Sequence, residues 1–293
     1  MDEKIAVVTG ASSGIGREVA RALARRGFRV AMVSRSEVRG ADAADDVRGS
    51  APGARVETFF ADLSSRADVR RLAERLRERY RRLDVLVNNA GVHLTRAKVS
   101  VDGFDRMVAT NHLGPFLLTN LLRELLVRSA PSRVVVVASE AHRRAGALDA
   151  ERFAEPGAYG AAGSHRVYAR TKLLNVLFAL ELADRLEGTG VAVHALCPGP
   201  VATGLKRDLP TPSRTSALLA RTPLLRTAEQ GARPVVRLAA DPEFATGTGY
   251  HGSVYHGSVR LARLLKESPA CRDVELRRTV WERSAHLVGL PSR

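Results

Sequence analysis

Cysteine, lysine and unbroken apolar stretches are all scarce in this chain. Its 293 residues hold two cysteines, Cys197 and Cys271, far apart and outside any Cys-x-x-Cys or metal-ligand spacing. No disulfide framework or metal site can be written from them, and a reducing cytoplasm is the expected location. No apolar run approaches the ~20 residues of a membrane-spanning helix. Met1-Asp2-Glu3-Lys4 leads straight into a strand-like segment without a signal-peptide pattern, so neither a leader nor a membrane anchor is expected.

Positive charge is abundant by contrast. Lys+Arg number 46 against 31 Asp+Glu, a net +15, and only five of the 46 are lysines, leaving 41 arginines. They are spread along helical faces, as over 66–82 and 221–237, rather than gathered in a basic tail. Aromatic residues are only 5% of the chain and do not interleave with the basic ones, so nucleic acid is not an expected partner.

Apolar runs at 5–9, 29–34, 55–60, 83–88, 133–138 and 191–197 read as strands. Helical patterns separate them, at 17–26, after 36, at 66–81, over a long stretch near 103–129, and at 166–187. Strands without polar alternation, each followed by a helix, predict an α/β fold: a single doubly wound, Rossmann-like parallel sheet with helices on both faces. One domain spanning 1–293 is expected, with substrate loops near 140–165 and 202–226, which follow the fifth and sixth strands. A five-residue direct repeat over 250–259 reads as a last strand with turns.

The chemistry-bearing residues stand at strand ends. Gly10, Ser12, Ser13, Gly14, Ile15 and Gly16 form a glycine-rich turn between the first strand and the first helix. Such a turn lets the backbone approach a pyrophosphate and aims a helix N-terminus at it. The second strand ends in Ser34-Arg35 where an acidic residue would bind a ribose 2′-hydroxyl. A guanidinium there pairs with a 2′-phosphate, which predicts NADP(H) as cofactor. Asp62-Leu63 ends the third strand, and the Asp62 carboxylate could accept an adenine amino group. Tyr168 and Lys172 are four residues apart, one turn of a helix, downstream of Ser139 at the end of the fifth strand. An ammonium beside a phenol favours the phenolate; bringing its pKa from ~10 to ~7 takes ~4 kcal/mol of differential stabilisation.

Together these residues resemble the short-chain dehydrogenase/reductase superfamily over nearly the whole chain, and within it the retinol dehydrogenase type. The motifs, in order, are TGASSGIG at 9–16, Asp62-Leu63, Asn88-Asn89-Ala90-Gly91, Asn111, Ser139, YARTK at 168–172 and Pro198-Gly199-Pro-Val201-Ala-Thr203. The narrower likeness rests on Asn111 to Thr119, Ser129 to Ser132, Ser139 with His142, and the stretch around Trp281. The resemblance implies that Tyr168 is the general acid/base, that Lys172 lowers its pKa and binds the nicotinamide ribose, and that Ser139 stabilises the charge growing on the substrate oxygen. It further implies that Asn111 holds a water in a proton relay and that Asn88, Asn89, Ala90 and Gly91 line the cofactor. Pro198, Gly199, Val201 and Thr203 would cover the nicotinamide. Family members often pair through helices like the one carrying Tyr168, so self-association to a homo-oligomer is also implied.

The chain departs from the pattern in three places. Thr171 replaces a frequent serine, Ser139 and Tyr168 stand 29 positions apart across a Gly/Ala/Arg-rich insertion, and the membrane-anchoring N-terminal segment of animal retinol dehydrogenases is not expected here. The expected activity is interconversion of a carbonyl and an alcohol on a small or medium, largely apolar molecule. The rival expectation is a non-catalytic NADP(H)-binding regulator of the same fold. A nucleotide-sugar epimerase or dehydratase would need a longer C-terminal substrate domain.

Overall fold

The computed structural model describes residues 3–201, 226–245, 255–256 and 268–291. Strands β1 (Ile5–Thr9), β2 (Arg29–Ser34), β3 (Arg55–Phe60), β4 (Val85–Asn88), β5 (Ser132–Val137) and β6 (Val191–Leu196) are joined by a two-residue β7 (Tyr255–His256). The sheet order is β3-β2-β1-β4-β5-β6-β7, and every pairing is parallel. Every residue of β1, β5 and β6 is buried, as expected of a sheet covered on both faces.

Alternation within β1 divides the core in two. Ala6 and Val8 face helices α1 (Gly14–Arg25) and α2 (Glu37–Ser50), together with α8 (Ala228–Ala240). Ile5 and Val7 belong to the other core, with α3 (Arg66–Arg79), α5 (Gly114–Leu121), α7 (Ala161–Arg185) and the C-terminal α9 (Val274–Val288). The chain crosses from one half to the other between β3 and β4, and so opens a crevice at the carboxyl ends of β1 and β4.

The long helix expected near 103–129 is broken. It runs as α4 (Arg106–Val108), a π-helical turn over Ala109–Leu113, α5, and α6 (Arg123–Arg128). Pro115 is one reason: it has no N–H to bond the Asn111 carbonyl four residues back. Helix α7 begins at Ala161, five residues earlier than its apolar pattern suggested. The segment expected as a loop at 140–165 therefore starts as a 3-10 turn, Glu140–Arg144, and ends inside α7. Of the other expected loop, Arg226 is described, bridging Val201, while 202–225 lie outside the described residues. Most of the 250–259 repeat lies outside them as well; Tyr255–His256 forms β7. Among the described residues, no helix is long and apolar enough to cross a membrane.

Helix α9 closes the second core. Its Trp281 ring lies 4.8 Å from Phe116 and 6.0 Å from Phe178, with the Arg185 guanidinium 4.5 Å from its centroid. Ser284 donates to the Val280 carbonyl and receives the His112 Nε2–H at 2.8 Å. Burial pushes the His112 imidazole down to about 3, so it stays neutral. A second copy docking on α7 would have to share that helix with α9. Replacing Trp281 by alanine should cost about 3–5 kcal/mol of stability, read as a lower urea midpoint; a change below ~1 kcal/mol would mean that α9 is only loosely attached.

Candidate active site

Carboxyl ends of adjacent strands gather the predicted residues around one cavity of about 910 Å³. Gly10, Ser12, Ser13, Gly14, Ile15, Gly16, Arg35, Asp62, Leu63, Asn89, Ala90 and Gly91 all line it. So do Ser139, Tyr168, Lys172, Pro198, Gly199 and Val201. Asn111 and Asn88 do not line it, and Thr203 lies outside the described residues.

The glycine turn is shaped for close approach. Gly10 has φ +66°, and a Cβ there would sit 2.8 Å from the Ala90 Cα; at Gly16 a Cβ would collide with the Gly10 carbonyl and the Asn89 amide. Ser13 precedes α1 without capping it through its side chain, and the first turn has no acidic residue, so the N–H groups there stay available to an anion. Thr9 ties this turn to the next strand. Its hydroxyl donates to the Val87 carbonyl and accepts the N–H groups of Asn89 and Ala90, each at 3.0 Å. Asn89 donates its amide to the Thr9 carbonyl at 2.8 Å. Asn88, expected among the cofactor-lining residues, is buried behind them, where its Nδ2 donates to the Thr119 hydroxyl at 2.9 Å and anchors β4 to α5.

At the far end of the crevice Arg35 is joined by Arg39, on the first turn of α2. Asp62 accepts from the Ser64 backbone and hydroxyl and pairs with Arg106 at 3.0 Å. Burial raises its carboxyl, but Ser64, Arg106 and Arg35 outweigh burial and hold it below the usual range. A glycine cradle at a helix N-terminus, with two guanidiniums beyond β2, is a donor set that fits a phosphorylated dinucleotide.

Lys172 is buried, at 4% exposure, and donates to the Val137 carbonyl at 2.9 Å. Its Nζ lies 5.7 Å from the Tyr168 ring centroid. Burial pushes the ammonium down to about 8. Burial also pushes the Tyr168 phenol up to about 12, opposed by a hydrogen bond with Ser139. The expected lowering by Lys172 is not among the influences on the phenol, which keeps its proton at neutral pH. The Ser139 oxygen accepts the Ala141 N–H at 3.2 Å. Asn111 is fully buried, with its side chain committed: Oδ1 accepts from Val92 N–H, and Nδ2 donates to the Val92 carbonyl and the Thr171 hydroxyl.

Sequence reasoning did not place His93, Arg39, Arg144, His165 or Arg166 on the cavity wall. The His93 ring stacks on Tyr168 at 4.7 Å and meets His165 edge-on at 4.8 Å. His165 is three residues before Tyr168, a helical neighbour that spacing alone would have flagged; His93 reaches the site through a loop and Arg144 through a short 3-10 turn, neither of which carries a periodicity.

This chain belongs to the short-chain dehydrogenase/reductase family, whose short chain dehydrogenase model matches residues 4–213. Within that family it is of the retinol dehydrogenase type. It is 41% identical to dehydrogenase/reductase SDR family member 13 of Bos taurus, covering 98% of this chain and 74% of the relative. It is 37% identical to human retinol dehydrogenase 14, covering 99% and 88%. Among solved structures, it is similar to a putative uncharacterized protein from Mycobacterium paratuberculosis, with TM-score 0.74, 28% identity and coverage of 99% and 95%. A variant of actinorhodin polyketide ketoreductase with NADPH gives TM-score 0.66 and 27% identity, covering 88% of this chain and 95% of that one.

The depressed Lys172 makes stability depend on pH in a defined window. Below about 8 both folded and unfolded chains hold its proton. Between there and the ordinary lysine value of ~10.4, only the unfolded chain holds it, so this group makes stability rise with pH, by up to ~3 kcal/mol. Urea unfolding at the two ends of that window should show the rise in the wild type and its loss in Lys172→Met; equal slopes would contradict the assignment.

Proposed function

We propose that this protein is an NADP(H)-dependent oxidoreductase of the carbonyl reductase or alcohol dehydrogenase type, with Tyr168 as general acid/base. The observation that carries this reading is the division of labour along one cavity. Ser139, Tyr168 and Lys172 meet beyond β5, while Arg35 and Arg39 stand beyond β2, three strands away in sheet order. At ~4.8 Å per strand that is ~14 Å, a span suited to a dinucleotide with its reactive ring by Tyr168 and a 2′-phosphate by the arginines.

The bound cofactor would supply the hydride that adds to the carbonyl carbon. Ser139 directs its hydroxyl proton to the carbonyl oxygen as charge builds there. Tyr168, protonated at neutral pH, gives its proton to that oxygen; in the oxidative direction it takes one back. His93 holds the phenol ring by stacking, and Lys172 stands ready to restore the proton from behind. The relay assigned to Asn111 then runs through its backbone carbonyl, since its side chain is spent on Val92 and Thr171 and Pro115 offers that carbonyl no N–H. Cys197 and Cys271, both buried and far apart in sequence, favour a reducing, cytoplasmic setting. Retention of Ser139, Tyr168 and Lys172 together gives no support to a regulator without turnover.

Tyr168→Phe should lower kcat for carbonyl reduction by at least ~100-fold, with NADPH binding, read by its fluorescence, retained. Undiminished turnover would exclude Tyr168 as the acid. Replacing both Arg35 and Arg39 by alanine should reduce the ratio of NADPH to NADH affinity at least ~tenfold, and an unchanged ratio would remove the basis for NADP(H) selection.

A further inference from the structure

The cavity wall is far more one-sided in charge than the chain. Seven Lys/Arg residues line it against a single carboxylate, Asp62, whereas the whole chain has 46 against 31. Most of the seven have an evident use. Lys172 belongs to the proton-transfer pair, Arg106 is bound to Asp62, and Arg35 and Arg39 stand where the 2′-phosphate would lie. Lys98, whose carbonyl accepts the Arg106 N–H at 2.9 Å, has a further partner of its own.

Arg144 and Arg166 remain. Arg144 ends the 3-10 turn that Ser139 caps, and Arg166 lies two residues before Tyr168 on α7, so both belong to the segments that carry the reacting groups. Both are exposed, and neither guanidinium has an ion pair or hydrogen bond among the described residues. Val92, Leu94, Ala141, Ala162 and Pro200 supply an apolar lining to the same cavity. An apolar wall with two uncommitted guanidinium forks suits a molecule with an apolar body and an oxyanion.

Resting on the oxidoreductase reading above, we propose that the substrate is an anionic carbonyl compound or alcohol, whose carboxylate or phosphate ester is seated by Arg144 and Arg166 while its reacting carbon faces Ser139 and Tyr168. This narrows the largely apolar substrate expected from the sequence. A cleft lined by one sign of charge also gathers such molecules from solution, more so at low salt.

The test uses the full chain with NADPH and three matched probes: an aryl keto acid, its methyl ester, and a keto phosphate of similar size. The wild type should turn over the two anions with kcat/KM about tenfold or more above the ester, mainly through KM, and the advantage should shrink with salt. In the Arg144→Gln, Arg166→Gln double variant the ratio of anion to ester should fall towards one. Whichever anion keeps the larger advantage identifies the source of the oxyanion. Binding is read separately, as a thermal shift of NADPH-loaded Tyr168→Phe by the keto acid but not by the ester. Turnover of the ester as good as that of both anions, or a ratio unmoved in the double variant, overturns the proposal and leaves the oxidoreductase reading standing. Binding of the acid that depends on the two arginines, with no turnover of any probe by the wild type, upholds the anion site and overturns the oxidoreductase reading.

Discussion

A lysine ammonium stripped of water at the carboxyl edge of a parallel sheet needs a fixed acceptor. The Val137 carbonyl at the end of β5, 2.9 Å from the Lys172 Nζ, is that acceptor. The candidate site is organised around this contact. The same burial that lowers the ammonium to about 8 raises the neighbouring phenol to about 12, so the pair rests closer to its neutral forms than a simple ion-assisted picture suggests. Tyr168 is thereby held with its proton in place at neutral pH.

A continuous set of hydrogen bonds keeps that pair in place. Thr171, next to Lys172, accepts from Asn111; Asn111 clamps Val92 after β4; and His112, one residue on, is held by Ser284 of the C-terminal helix. The π-helical turn at 109–113 is where these ties converge, and the extra residue in that turn lets adjacent side chains serve two different layers. A C-terminal helix remote from the cavity is thus linked to the residue beside Lys172.

The sheet was legible because buried parallel strands are uninterrupted apolar runs, and six such runs match six strands to within two residues at each end. The glycine turn and the Tyr168/Lys172 spacing were legible because local backbone geometry dictates them. The break at 109–113 was harder to read, since Asn111-His112-Leu113 continues a helical pattern and the signal is the missing N–H of Pro115. His93, Arg144 and Arg166 were not legible as site residues: their place on the wall depends on how loops after β4 and β5 meet α7. The direction of the Tyr168 shift was not legible, because a sequence displays the neighbouring charge but not the burial that raises the phenol.

The central claim is that burial, rather than the nearby ammonium, sets the state of the Tyr168 phenol. Ultraviolet difference titration of the cofactor-free protein against Tyr168→Phe isolates that one group. The phenol present only in the wild type should remain protonated beyond pH ~10, the ordinary tyrosine value. Its ionisation near neutral pH would contradict the account.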